Sequence, residues 1–203
     1  LSDAAEAYVQ AFFTTYDTTS TLAATPAEFS VPVTNPFVRG DLAELAAVIS
    51  DNTCAVVMEP LQGEGGITPV APGFLKHVQD LCRKHDALLI LDQVQDGMMR
   101  TGKLFSHFAE AGVTPDVVTL AKALGGGLPI GAMLVGEKAA DVLQFGTHGT
   151  TFGGNPVACA AAIATLDCLE GKDGEPNLCD HATQMGTRLM AGLKAMQQRI
   201  PYI

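Results

Sequence analysis

The chain has 203 residues, 47% of them apolar and 17% charged, which predicts a folded domain with a buried core and argues against a disordered chain. Its formal net charge of −10 argues against a nucleic-acid partner, because such surfaces need clustered Lys and Arg. No apolar run is long enough for a membrane span, so no membrane partner is expected either.

The cysteines indicate a reducing compartment. There are five, an odd number, and no two of them form a C-x-x-C pair. The expected location is therefore the cytoplasm, or the mitochondrial matrix if the source is eukaryotic, and no metal site is expected. The chain opens on Leu1 rather than Met, which favours a processed product or a fragment.

The first predicted segment, residues 1–36, is the least informative part of the chain. A short helix is expected near residues 4–13, and an irregular connection rich in Thr, Ser, Ala and Pro follows it. The pattern sharpens at Asp41, which can cap a helix whose apolar residues share one face. That face comprises Leu42, Leu45, Val48 and Ile49.

Apolar runs and helical patterns alternate along the rest of the chain. Predicted strands occupy residues 54–58, 87–91, 117–121 and 130–135, and predicted helices occupy residues 72–85, 156–169 and 178–200, with Asn177 as the N-cap of the last helix. Unbroken apolar runs of this length are typical of strands buried on both faces of a sheet. The sequence therefore predicts an α/β fold with a largely parallel sheet flanked by helices.

Polar residues follow three of the predicted strands: Glu59, Asp92 and Lys122. Open α/β sheets bind their ligands beyond the carboxyl ends of the strands. A capping or solvated role is the simpler interpretation of either acid alone. Lys122 is harder to dismiss, because it ends an apolar run that would leave its ammonium partly out of water and suit it to Schiff-base chemistry. His107 is expected on the surface or in local packing.

Five stretches carry a more specific pattern. They are residues 59–66 (Glu-Pro-Leu-Gln-Gly-Glu-Gly-Gly), 92–95 (Asp-Gln-Val-Gln), 100–102 (Arg-Thr-Gly), 121–127 (Ala-Lys-Ala-Leu-Gly-Gly-Gly) and 148–156 (His-Gly-Thr-Thr-Phe-Gly-Gly-Asn-Pro). Together they resemble the class III pyridoxal-phosphate-dependent aminotransferases, with the acetylornithine aminotransferase branch as the nearest match. The resemblance covers residues 37–203 in order and spacing. It implies the large domain of a fold-type I enzyme, with pyridoxal 5′-phosphate (PLP) as the cofactor.

The resemblance also implies roles for individual residues at the cofactor. Lys122 would hold the cofactor as a Schiff base and carry a proton during catalysis. Asp92 would pair with the pyridine nitrogen and keep it protonated, so that the ring can accept electrons. Val94 would pack on one face of the ring, and Gln95 would hydrogen-bond the phenolic oxygen. Thr151 would reach the phosphate of the neighbouring subunit, which implies a homodimer.

On the substrate side, the resemblance implies contacts from Glu64 and Thr150. The substrates would be a small amino donor and a 2-oxo acid. In related enzymes the glutamate that matches Glu64 pairs with an arginine and thereby controls which substrate is admitted.

The chain departs from the family pattern in several places. Gln93 stands where the family has Glu, which removes one negative charge beside the aspartate. The family's upstream phosphate loop, ring-stacking aromatic and substrate arginine are not found in residues 1–36, and the chain stops at Ile203, so truncation at both ends is expected. The expected organisation is an irregular segment at 1–36, a cofactor-binding portion of the large domain at 37–170, and a helix at 171–203 that leads toward a missing small C-terminal domain.

Three functions remain open from the sequence. The first is transamination of acetylornithine or a similar ω-amine with 2-oxoglutarate as acceptor, as in arginine biosynthesis. The second is an ornithine, succinylornithine or 4-aminobutyrate aminotransferase. The third is a degenerate, non-catalytic fragment that keeps the fold and a dimer surface. The intact Asp92 and Lys122 favour an enzyme, whereas the missing phosphate ligands favour the third function for the isolated chain.

Overall fold

The computed structural model of the chain describes residues 42–200 and residue 202. These residues divide into two compact units. The first contains residues 42–92, 110–119 and 133–152, and the second contains residues 93–109, 120–132, 153–200 and 202. The helix predicted near residues 4–13 and the cap predicted at Asp41 lie outside the described residues. The predicted organisation into segments 1–36, 37–170 and 171–203 stays a prediction.

The strands form a four-stranded sheet and a small hairpin. Six strands are described: β1 (Ala55–Met58), β2 (Leu61–Gln62), β3 (Thr68–Pro69), β4 (Leu88–Asp92), β5 (Val117–Leu120) and β6 (Ala132–Val135). The sheet has the order β1-β4-β5-β6, and β1, β4 and β5 run parallel to one another. The hairpin pairs β2 with β3 in antiparallel orientation and was not predicted.

Strand β4 is buried on both faces, as its unbroken apolar run predicts. Leu89 and Leu91 belong to a core cluster on one face, whereas Leu88 and Ile90 belong to a second cluster on the other. Successive side chains of a strand point to opposite faces, so an apolar residue at every position is what two covered faces require. The predicted α/β fold with a largely parallel sheet is confirmed.

Two helices cover one face of the first unit's sheet. Helix α1 (Leu42–Val48) buries Leu45, and helix α2 (Phe74–Lys84) buries Phe74, Val78 and Cys82, in the same cluster as Leu89 and Leu91. The predicted apolar face of α1 was too wide, because Leu42 and Val48 are exposed. The predicted start of α2 was two residues early, because Gly73, with a left-handed φ of 84°, is the N-cap.

The second unit contains two capped helices. Helix α3 (Pro156–Glu170) begins after Asn155, whose Oδ1 accepts hydrogen bonds from Val157 N and Ala158 N at 2.9 and 3.2 Å. Helix α4 (Leu178–Gln197) begins after Asn177, which is capped in the same way and confirms the predicted N-cap. Among the residues described, the helices are too short or too polar to cross a membrane.

Candidate active site

Asp92 is the last residue of β4 and is half-buried. Its Oδ1 accepts a hydrogen bond of 3.1 Å from Thr119 Oγ1, and the two residues are register partners in the parallel pair β4 and β5. The carboxylate is therefore held at the carboxyl edge of the sheet, where this class of fold binds ligands. Thr119 was not predicted from the sequence. Aligning the predicted strands 87–91 and 117–121 end to end would place Leu89 opposite Thr119, so the pairing with Asp92 depends on the register of the folded sheet.

The residues that follow Asp92 form a tight turn in the second unit. Gly97 N donates a hydrogen bond of 3.0 Å to Gln93 O, and the half-buried Val94 and Gln95 lie within the turn. A Cβ on Gly97 would lie 2.6 Å from Gln93 O and 2.9 Å from Leu120 Cδ2. The turn therefore needs glycine at this position, because a larger residue would push the backbone away from residue 93.

The Gln93 side chain is fully buried and hydrogen-bonded at both ends. Its Oε1 accepts from Ser106 N at 2.7 Å and from Ser106 Oγ at 3.1 Å. Its Nε2 lies 2.5 Å from His107 Nδ1. Burial lowers the pKa of His107, so the neutral imidazole is favoured. Of the two alternatives expected for His107, surface or local packing, the packing alternative is confirmed, since the residue is 4% exposed.

Lys122 begins a short 3-10 helix, Lys122–Gly125, and is exposed. Its φ of 44° is in the left-handed region, which costs a residue with a side chain roughly 1–2 kcal/mol. Such strain in a non-glycine residue motivates a functional hypothesis. The expectation that the apolar run would draw the ammonium out of water was wrong. Strand β5 ends at Leu120, and Lys122 already lies in the turn beyond it.

Gly126, one of the three glycines after Lys122, packs closely on α3. A Cβ on Gly126 would lie 2.7 Å from Thr165 Oγ1 of α3, and the φ of Gly126 is 59°. Both the conformation and the close approach favour glycine, so the turn after Lys122 has little room to change.

Glu64 lies at the tip of the β2–β3 hairpin and is exposed. The carboxylate of Glu59 accepts a hydrogen bond of 2.8 Å from Gly63 N, the residue before Glu64. The capping role considered for Glu59 is confirmed, and it fixes the backbone on which Glu64 is carried.

Thr150 and Thr151 lie in an exposed segment of the first unit. A turn precedes them, in which Thr147 Oγ1 donates to Gln144 O at 2.7 Å. The described contacts thus bring Asp92 together with Thr119, and Gln93 together with Ser106 and His107. The roles expected of Glu64, Asp92, Val94, Gln95, Lys122, Thr150 and Thr151 stay predictions.

Comparisons with known proteins agree on one family. The family model described as aminotransferase class-III matches residues 2–203. An acetylornithine aminotransferase from Xanthomonas axonopodis pv. citri is 55% identical over 157 residues, which are 77% of this chain and 37% of that protein. A succinylornithine transaminase from Salmonella paratyphi A is 56% identical over 129 residues, which are 64% of this chain and 31% of that protein.

Solved structures give the same result. An N-acetylornithine aminotransferase from Stenotrophomonas maltophilia is similar with a TM-score of 0.68 and 42% identity, covering 80% of this chain and 41% of that chain. The chain thus spans 37% of the length of the Xanthomonas relative.

Proposed function

Because the chain belongs to the class-III aminotransferase family, whose members depend on PLP, we propose that it carries the cofactor-binding part of an aminotransferase. The reaction proposed is transfer of the terminal amino group of acetylornithine, or of a similar ω-amine, to 2-oxoglutarate. The observation that carries the proposal is the Asp92 carboxylate, held by Thr119 at the carboxyl edge of the sheet. The 55% sequence identity with an acetylornithine aminotransferase supports the choice of substrate.

The residues fit PLP by the chemistry of their donor and acceptor groups. Asp92 offers a carboxylate to the protonated ring nitrogen, Gln95 an amide to the phenolic oxygen, and Lys122 a primary amine to the aldehyde. Val94 offers an apolar side chain to the face of the ring. When bound, the cofactor supplies an electron sink that weakens the C–H bond at the substrate carbon bearing the amino group.

Each residue then has a defined task. Asp92 holds a proton at the ring nitrogen, because its negative charge favours the protonated form. Lys122 Nζ accepts the proton released by the amine-bearing carbon and donates it in the following step. The exposed side chain of Lys122 has room to reach a ligand from the turn in which it lies.

We assign substrate specificity and the formation of a homodimer to exposed residues. Glu64 and Thr150 would contact the substrate, and Thr151 would reach the phosphate held by a second copy of the chain in a homodimer. The similarity to a succinylornithine transaminase favours succinylornithine as a second candidate substrate. The succinyl group is longer than the acetyl group and carries a carboxylate that the acetyl group lacks, so a charge at the hairpin tip would discriminate between them.

Borohydride reduction of the chain with PLP tests the proposal, and peptide mapping reads the result. We expect label on Lys122 and none on this peptide in Lys122→Ala. Lys76, which pairs with Asp80, and the exposed Lys84 and Lys103 are internal controls, because none of them directly follows a strand at the carboxyl edge of the sheet. Label spread evenly over these lysines would overturn the proposal.

Substrate choice needs a second measurement. Transamination should be compared for acetylornithine, succinylornithine, ornithine and 4-aminobutyrate, each with 2-oxoglutarate and with pyruvate as acceptor. We expect the highest kcat/KM for acetylornithine with 2-oxoglutarate. A preference for 4-aminobutyrate would contradict the substrate proposed.

A further inference from the structure

We propose that Gln93 and His107 are positioning residues, a neutral buried pair that anchors the turn of residues 93–97, and that the residue at position 93 decides which ring nitrogen of His107 carries the proton. The part of this inference that concerns PLP rests on the proposed function, because Val94 and Gln95 lie in this turn.

The hydrogen-bond partners of Gln93 fix which way its amide group points. Ser106 N can only donate, so the atom 2.7 Å from it must be the amide oxygen, which also accepts from Ser106 Oγ at 3.1 Å. The amide nitrogen therefore faces His107 Nδ1. Since an amide nitrogen only donates, Nδ1 must accept, and His107 is neutral with its proton on Nε2.

The surroundings of His107 favour this neutral state. Gln93 is 0% exposed and His107 is 4% exposed. The imidazole stacks on Phe105 at 5.7 Å between ring centroids and meets Phe108 edge-on at 4.8 Å. These rings, Gln93 and Ser106 carry no negative charge, so none of them supplies an anionic partner to offset the cost of burying an imidazolium.

A glutamate at position 93 would require His107 Nδ1 to donate a hydrogen bond instead of accepting one. Its carboxylate could still accept from Ser106, but it could offer only an acceptor to His107. Nδ1 would then have to carry a proton, either in the other neutral tautomer or in the imidazolium. The amide in this chain, where the family pattern has a carboxylate, therefore matches a neutral His107.

The pair also controls the backbone. The Gln93 side chain ties the start of the turn to residues 106 and 107, while Gly97 N closes the turn on Gln93 O at 3.0 Å. Loss of the His107 acceptor would leave a fully buried donor without its partner. The turn would shift to satisfy that donor, and Val94 and Gln95 would move with it.

Long-range ¹H–¹⁵N NMR on the cofactor-free full chain, labelled at histidine, tests the pair. His107→Asn assigns the resonance. In the wild type, we expect Nε2–H, unprotonated Nδ1, and a titration midpoint below the ordinary value of a histidine, because burial lowers the pKa of His107. In Gln93→Glu, we expect a protonated Nδ1 and a midpoint raised by about 1 unit or more. Gln144→Glu, which adds the same charge at an exposed glutamine, should leave His107 unchanged.

A wild-type His107 that carried its proton on Nδ1, or whose titration midpoint was not lowered from the ordinary histidine value, would overturn the pair. A Gln93→Glu variant with unchanged His107 signals would overturn the control by position 93.

PLP affinity, measured by absorbance titration, tests the positioning role. His107→Phe removes the acceptor and should weaken PLP binding about tenfold. His107→Asn, whose Oδ1 can accept in place of Nδ1, should recover most of that loss. Equal affinity of His107→Phe and wild type would overturn the positioning role while the NMR result stood. A wild-type chain that bound no PLP would overturn the proposed function and the cofactor part of this inference with it.

Discussion

Thr119 Oγ1 donates a hydrogen bond of 3.1 Å to Asp92 Oδ1 across the parallel strands β5 and β4. This hydrogen bond restricts the rotation of the Asp92 carboxylate about its Cβ–Cγ bond. The aspartate is thus presented in one orientation before any ligand arrives, which lowers the entropic cost of binding.

Removing this hydroxyl should weaken the active centre without unfolding the sheet. Thr119→Val keeps the β-branched shape and loses the donor, so PLP affinity should fall about five- to tenfold. Thr119→Ser keeps the donor and should lose much less. Absorbance titration measures the affinity, and a thermal melt checks that stability is retained. Valine and serine variants of equal affinity would show that the hydrogen bond has no role.

Asp92 and Gln93 should differ sharply in their effect on transamination. Asp92→Asn keeps the acceptor for Thr119 but removes the charge proposed at the ring nitrogen, and kcat should fall about a hundredfold or more. Gln93→Glu acts one residue away through His107 and should change kcat by about tenfold at most. Steady-state kinetics of the two variants gives the ranking. The reverse order would mean that the ring nitrogen is not at Asp92.

The hairpin that carries Glu64 should depend on Glu59. Glu59→Ala leaves Gly63 N without its acceptor, so the tip should become mobile and KM for the amino donor should rise roughly three- to tenfold, with kcat little changed. Glu59→Gln retains an acceptor oxygen and should stay close to the wild type. Glu137→Ala, at an exposed acid of the same unit, is a matched control for charge. A larger effect on kcat than on KM would contradict this role.

Cys82 should be the least reactive thiol in the folded chain. It is 1% exposed, and burial raises its pKa to about 12 from 9.0. Iodoacetamide at pH 8, followed by mass spectrometry, should therefore modify the exposed Cys168 long before Cys82, unless the chain is first unfolded. Prompt labelling of Cys82 under native conditions would contradict the burial.

The same thiol makes stability depend on pH. The unfolded chain loses the Cys82 proton above pH 9.0, whereas the folded chain keeps it until about pH 12. The free energy of unfolding should therefore be unaffected by Cys82 below pH 9 and should fall as pH rises through this window, by at most about 4 kcal/mol. Denaturant titrations at pH 8, 10 and 11 should show a shallower decline for Cys82→Ala than for the wild type.

Much of the secondary structure follows from the sequence alone. The run of residues 87–91 predicts a strand covered on both faces, and β4 has that property, because the character of each residue in a strand reports directly on the face that it occupies. Asn177 marks the start of α4 because a cap bonds to amides only two and three residues away. Strand burial patterns and helix caps depend on residues that are neighbours in the chain, so a short stretch of sequence is enough to predict them.

The partners of the site residues were decided by tertiary structure. Thr119 is 27 residues from Asp92, and His107 is 14 residues from Gln93. Neither pairing follows from local spacing. The register of β4 against β5 selects the first, and the path of the chain after Gly97 selects the second. The sequence gives the type of each hydrogen-bonding side chain. Its partner is set by which strands and turns pack together, because a hydrogen bond forms only where folding brings donor and acceptor within about 3 Å.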